Sequence, residues 1–312
     1  MISIIIPTYL SEKNLPVLIK RIVNVFYRID EGYEIIFIND CSPDNTYPYL
    51  IDQNKLNKNV KIISLSRNFG QQSAISAGLD NAIGDAVIIM DDDLQDPPEF
   101  IPNLINKWRA GYDIVYTIRT KRKENLLKRS CYYIFYRILH YVSENKIPMD
   151  SGDFCILDNK VVKVISKMPE HTRFIRGLRN WVGFNQIGIE CERDERYNGN
   201  PAYNTLKIIN LGLDGIISFS KFPLRIATFL GFIVSMVSFI GFLFTFFQKI
   251  FTIIYPNNPI AVWPGFSTIV LLILFIGGVQ LIVIGILSEY IGNIYNEVKD
   301  RPKYIVKDKV GF

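Results

Sequence analysis

Asp91, Asp92 and Asp93 stand side by side directly after the apolar run Val87, Ile88, Ile89, Met90, and Leu94, Gln95, Asp96, Pro97, Pro98 and Glu99 follow them. Bulky apolar residues in a short run fit a strand buried on both faces. Carboxylates crowded against the end of such a strand repel one another unless a cation holds them. Hard divalent metals such as Mg²⁺ take oxygen ligands and usually share them with substrate phosphates. The chemistry proposed by this segment is a metal–diphosphate site. Open α/β sheets hold their ligands at the carboxyl edge of the strands, so that is where the acids should lie.

Elements able to build such an edge run through the first part of the chain. Short apolar runs at 2–6, 34–38, 60–65 and 86–90 end in turn or polar residues, and segments of helical character at 15–27, 46–54 and 71–83 separate them. A helix over 99–110 and a strand over 113–117 continue the alternation. Strands alternating with helices imply βαβ units and a mostly parallel sheet, an α/β fold.

From about Leu224 the character changes. Residues 224–247 carry one charge, Arg225, and residues 266–287 carry none. Helices of that length rise roughly 33–36 Å, enough for a hydrocarbon core of about 30 Å. The expected division is a catalytic domain over 1–205, a juxtamembrane interfacial helix over 206–223, and a membrane domain with a cytoplasmic tail over 224–312. Residues 126–142 mix aromatic and apolar side chains with Lys128, Arg129 and Arg137. They read either as a core helix or as one lying in the lipid interface. Lys221 and Arg225 precede the first apolar helix, and Lys299, Arg301, Lys303, Lys307 and Lys309 follow the second. The connecting segment 248–265 holds only Lys249. The positive-inside rule then puts both termini in the cytoplasm, in line with a first strand that no signal peptide precedes.

Composition narrows the rest. A net charge of +5 on 312 residues fits a basic membrane-facing surface better than nucleic-acid binding. Cys41, Cys131, Cys155 and Cys191 lack any metal-type spacing, and His140 and His171 are the only histidines, which argues against zinc chemistry.

Five groups of residues occur in order: Pro7-Thr8-Tyr9, Ile38-Asn39-Asp40-Cys41-Ser42, Ser66-Arg67-Asn68-Phe69-Gly70, Asp91 to Glu99, and Ser151-Gly152-Asp153-Phe154. With the apolar tail they make the chain resemble the family-2 (GT-A fold) glycosyltransferases that charge polyprenyl phosphates, such as bactoprenol glucosyltransferases and dolichol-phosphate mannose synthases. The resemblance runs from Ile2 to about Lys309. It implies that Pro7, Tyr9, Ser11, Asp40, Asn68 and Asp91 line the nucleotide-sugar site, with Asp40 accepting from a uracil imide. It also implies that Asp91, Asp93 and Gln95 serve a Mg²⁺ or Mn²⁺ ion and the diphosphate. Asp153 matches the family's catalytic aspartate, joined by Arg119. Arg129 and Arg196 fall to the acceptor phosphate, and Arg173 and Arg176 are further guanidinium candidates. The helix opening after Asn68-Phe69-Gly70 would offer its amino terminus to an anion.

Departures from the family pattern are local. The Asn-Glu that follows the Tyr is here Leu10-Ser11, a carboxylate that Glu12 would have to replace. Asp92 stands where a small residue is usual and is expected to face solvent. Cys155 replaces an Arg, and Gly199-Asn200-Pro201-Ala202-Tyr203 lacks the family's Lys. The implied activity is inverting transfer of a hexose, glucose first, from a UDP-sugar to undecaprenyl phosphate for cell-surface polysaccharide, with room for a homo-oligomer. The alternatives are mannose from GDP-mannose, a modified aminosugar such as formamido-arabinose, a processive synthase, or an inactive scaffold or translocator part. The processive reading lacks its Gln-x-x-Arg-Trp segment, and a translocator would need a polar path through the membrane.

Overall fold

The computed structural model describes residues 1–119, 151–171, 173–192, 222–254 and 265–312. The chain forms two units, Met1–Gly215 together with Lys299–Phe312, and Ile216–Val298. Segment 126–142 and residues 206–221 of the expected juxtamembrane helix 206–223, with Arg129 and Arg196, lie outside the described residues.

The first unit is built on β1 (Ile2–Thr8), β2 (Tyr33–Asn39), β3 (Val60–Leu65), β4 (Ala86–Ile89), β5 (Ile114–Arg119), β6 (Ser151–Asp158), β7 (Gln186–Cys191) and β8 (Val306–Val310). They form one sheet in the order β7-β5-β6-β4-β1-β2-β3-β8. Strands β4, β1, β2 and β3 are mutually parallel, as the βαβ pattern requires. The helices are α1 (Leu15–Ile29), α2 (Thr46–Leu56), α3 (Gln71–Asn81), α4 (Ile101–Arg109), α5 (Asn159–Lys167) and α6 (Ile175–Trp181).

Apolar residues fill both faces of the central strands. In β1, Ile2, Ile4 and Ile6 join one core with α1 and α4, while Ile5 joins a second core with α3 and α5. In β4, Ala86 and Ile88 face the first core and Val87 and Ile89 the second. The two-residue period thus sends one uninterrupted apolar run into two cores. On α1, buried Leu15, Leu18, Ile19, Ile22, Val25 and Phe26 recur at helical spacing. Asp30, in a left-handed conformation, closes that helix with its N–H on the Phe26 carbonyl. Helix α3 lies very close to the sheet, since a Cβ on Gly78 would sit 2.4 Å from Ile5 Cγ2.

Two features depart from a simple parallel sheet. Ser151–Asp158 is a strand antiparallel to both β4 and β5. The tail, expected to belong with the membrane domain, instead returns as β8, antiparallel to β3 with Ile62 opposite Val310 and Ser64 opposite Asp308. Tyr47 donates to Asp308, Tyr304 to Asp80 at 2.8 Å, and Lys309 to Asn81 at 2.5 Å. The tail therefore covers an edge that would otherwise expose unpaired N–H and C=O groups.

The second unit contains α7 (Phe222–Ile254, 33 residues) and α8 (Gly265–Val298, 34 residues). Within them Pro223–Gln248 and Phe275–Val298 are long and apolar enough to cross a membrane. Their apolar side chains point outward; Phe229, Phe232, Phe239, Phe244 and Leu281 are all exposed. Helices this apolar and this exposed along their described residues fit a lipid surround.

Candidate active site

The carboxyl ends of β1, β2 and β4 turn sharply, each through a non-glycine residue with left-handed backbone: Leu10 (φ 58°), Cys41 (φ 55°) and Leu94 (φ 60°). Such residues cost about 1–2 kcal/mol each and gather at functional edges. The surrounding loops brace them. Leu10 N–H donates to Ser42 Oγ at 2.8 Å, and Ser42 Oγ donates to Asp44 Oδ1 at 2.6 Å. Ser11 N–H donates to Thr46 Oγ1 at 3.1 Å. The loops after β1 and β2 are thereby one piece.

Asp40 is almost fully buried at the end of β2. Its Oδ1 accepts from Phe69 N–H at 2.7 Å and its Oδ2 from Gly70 N–H at 2.8 Å. Burial raises its carboxyl above the ordinary range, against the pull of those two bonds. The residue expected to read a base thus also anchors the loop after β3, where Asn68 is exposed and the Arg67 guanidinium lies 4.5 Å over the Phe69 ring. Gly70, at φ 91°, admits the turn into α3. The tail reaches this loop too, because Ser66 N–H donates to the Ile305 carbonyl at 2.9 Å.

Asp91, Asp93 and Gln95 lie half-buried after β4. Gln71, the first residue of α3, donates to Asp91 Oδ1 at 2.7 Å, and Asp93 Oδ1 accepts from Gln95 N–H at 3.1 Å. Asp92 does not simply face solvent: it is half-buried and accepts from Ser11 Oγ. Burial pushes its carboxyl up to about 7; the Ser11 bond pulls the other way and neighbouring Asp93 adds to the rise. Acids held this close favour a cation. The donors here are carboxylate and amide oxygens, the set that suits a hard divalent ion. Among the described residues no group of three or more His, Cys, Asp and Glu side chains could hold a metal by itself. A cation here would need oxygens from a bound substrate to complete its shell.

The antiparallel course of β6 matters most for Asp153. Because β6 runs against β4, its beginning meets the carboxyl ends of the parallel strands. The register pairs Ile89, the last residue of β4, with Cys155, two places after Asp153. Asp153 is nearly buried, and Arg176 grips it from two nitrogens, Nε donating to Oδ1 at 2.5 Å. A Cβ on Gly152 would lie 2.6 Å from Thr117 Oγ1, so that strand can come so close only with glycine there. Arg119 ends β5 alongside, with its backbone opposite Cys191.

The other arginines divide by partner. Arg173 is buried and donates to the carbonyls of Ile165 and Met168, closing α5 rather than offering a free guanidinium. Arg179 is buried, stacks 4.7 Å over Tyr116, and donates to the Gly152 carbonyl at 3.2 Å. Burial raises the pKa of the neighbouring Cys155 thiol, and the Arg179 charge pulls it the other way. Sequence reasoning passed over Arg179, although its spacing of three from Arg176 puts both on one helical face. It also passed over Gln72, whose Oε1 accepts from Ile175 N–H at 2.9 Å and ties α6 to the start of α3.

Comparison with known proteins gives this arrangement its family. The model of glycosyl transferase family 2 matches residues 3–166, which holds every strand end described above except β7 and β8. The chain belongs to glycosyl transferase family 2. A second model, the GtrB C-terminal hairpin, matches residues 222–294, the two long apolar helices. The family-2 chain is 45% identical to an uncharacterized glycosyltransferase of Synechocystis sp. over 99% of its length and 96% of the relative's. It is 42% identical to a prophage-derived bactoprenol glucosyl transferase of Shigella flexneri, over 98% of this chain and 97% of that one. A mannosyltransferase from Pyrobaculum calidifontis, solved with GDP-mannose and Mn²⁺, is similar over 70% of this chain and 63% of its own, with TM-score 0.49 and 17% identity. The α/β GT-A architecture expected of this family-2 enzyme is the one its sheet has.

Proposed function

We propose that this family-2 enzyme transfers a hexose, glucose first, from a UDP-sugar to undecaprenyl phosphate with inversion, at the cytoplasmic face of the membrane. The observation that carries the reading is the similarity to bactoprenol glucosyl transferases, which extends through the apolar hairpin as well as the catalytic sheet. A lipid acceptor explains why a nucleotide-sugar enzyme carries that hairpin.

Asp91 and Asp93, with Gln95 beside them, would hold a Mg²⁺ or Mn²⁺ ion, which when bound neutralises charge on the departing diphosphate. Pro7, Tyr9, Ser11, Asp40 and Asn68 cradle the nucleoside over the ends of β1 and β2. An oxygen of the acceptor phosphate attacks the anomeric carbon as the bond to the UDP β-phosphate oxygen breaks. A phosphate monoester has its second pKa near 6, so at neutral pH it is already a nucleophile and needs no strong base. Asp153 fits an orienting role, since Arg176 engages both its oxygens. Arg119, with Arg129 and Arg196 from the segments outside the described residues, would pair the acceptor phosphate.

The course of the chain supports a hairpin topology. Strands before and after residues 216–298 belong to one sheet. A sheet cannot be divided by a bilayer, so the chain between must cross an even number of times. With the lysines and arginines flanking both helices, the reading puts that sheet in the cytoplasm.

The test uses purified full-length protein with undecaprenyl phosphate, Mg²⁺ or Mn²⁺, and a panel of labelled nucleotide sugars including UDP-glucose and GDP-mannose. A lipid-extractable labelled product from UDP-glucose is expected. Transfer from another donor alone would replace glucose as the sugar, and no transfer from any donor would sink the reading.

A further inference from the structure

We infer, resting on the transfer reading above, that Gln72 is a positioning residue for the reaction: from the start of α3 it seats α6, and through Arg176 it sets Asp153.

Helix α6 is not built to place itself. It is seven residues long and contains Gly177. A helix so short is marginal in isolation, and an internal glycine weakens it further. Phe174 stands at its N-cap and makes no side-chain bond to the first turn, having no oxygen with which to receive one. Ile175 and Leu178 hold the helix in the second core, but apolar burial is non-directional and does little to fix sliding or rotation. Direction comes from hydrogen bonds. Gln72 Oε1 accepts the Ile175 N–H at 2.9 Å, so the acceptor that Phe174 lacks comes from α3, 103 positions earlier.

What α6 carries is the hold on the start of β6. Arg176, next to the capped residue, engages both oxygens of Asp153, and Arg179 donates to the Gly152 carbonyl at 3.2 Å. A shift of α6 therefore moves Asp153 with it.

Gln72 shares its turn with contacts to the donor half of the site. Successive residues on a helix point about 100° apart, so Gln71 reaches a different partner and donates to Asp91 Oδ1 at 2.7 Å. Just before it, the Phe69 and Gly70 N–H groups donate to Asp40. Residues 69–72 thus tie the strand ends that carry Asp40 and Asp91 to the helix that holds Asp153. The side-chain route from the acidic edge to Asp153 runs through this turn, and Gln72 is its last link.

The test uses full-length protein in detergent with undecaprenyl phosphate, Mn²⁺ and the labelled donor that wild type accepts. Gln72→Leu should lower kcat about tenfold, a modest part of the roughly hundredfold that a 1 Å misplacement can cost, and leave donor KM within about twofold. Gln72→Glu, which keeps an acceptor oxygen at the same reach, should bring kcat to within about threefold of wild type. In an Arg176→Met background, Gln72→Leu should cost less than about twofold more, because the two act through one contact. An unchanged kcat, a donor KM that rises as far as kcat falls, a loss that multiplies with Arg176→Met, or no recovery in Gln72→Glu overturns the inference. Hydrogen exchange supplies a readout that needs no turnover. Gln72→Leu should speed exchange over 151–158 and 175–181 and leave 33–39 as in wild type; exchange raised equally in all three segments, or in none, overturns the inference too. Should Gln72→Leu fail to fold, Gln72→Asn, one methylene shorter, is read in its place. No transfer by wild type from any donor defeats the proposed function alone, and exchange then decides the role of Gln72.

Discussion

Asp93 and Arg176 show how single residues divide the chemistry. Asp93 lies with Asp91 where charge must be neutralised, so Asp93→Ala should lower transfer at least about a hundredfold, since a metal's charge stabilisation is worth several kcal/mol. The measurement is labelled lipid product per time at saturating Mn²⁺. Arg176 instead fixes Asp153 through two guanidinium bonds. Arg176→Met should lower kcat about ten- to a hundredfold while leaving the KM for donor nearly unchanged. An equal rise in KM would place Arg176 on the nucleotide. Asp40→Ala should do the opposite, raising donor KM about tenfold, because the Phe69–Gly70 loop loses the acceptors of both its N–H groups. The acids at 91–93 were legible from sequence because like charges at a strand end are physically conspicuous. The Asp153–Arg176 and Ser11–Asp92 pairs join residues 23 and 81 positions apart, a proximity that no local pattern records.

At the scale of elements, α3 and β8 set the geometry of the edge. Two consecutive glutamines at the start of α3 reach Asp91 and the start of α6, so the fit of α3 against the sheet matters for the site. Gly78→Val should cost about 1–3 kcal/mol through overpacking against Ile5 and Ile38, read as a shifted midpoint in chemical denaturation. Strand β8 covers the free edge of β3 and its approach supports Ser66. Removal of residues 303–312 should lower Tm and promote aggregation, measured by scanning calorimetry and light scattering. An unchanged Tm would show that the edge needs no cover. The parallel strands announced themselves by apolar runs and turns. Strand β8, reading Val-Lys-Asp-Lys-Val, is mostly exposed and charged, so hydrophobic patterning does not single it out.

For the whole molecule, the placing of β1 and β8 in one sheet makes the apolar hairpin a closed excursion from a single folded unit. Reporters inserted between 255 and 264 and at the carboxyl terminus should therefore report opposite sides of the membrane. Two reporters on the same side would rule out the two-crossing hairpin.

Read alone, the sequence determined the α/β class, the positions of the first five strands along the chain, the acidic edge and the apolar helices. Each is local: periodicity, charge crowding and hydrophobic length need only neighbouring residues. Tertiary structure decided the reversed direction of β6, which brings Asp153 to the strand ends that carry Asp91. It also decided the return of the tail to β3 and the meeting of Ser11 with Asp92. These depend on which strands pair and in which direction, and pairing is a property of the packed sheet rather than of any one segment.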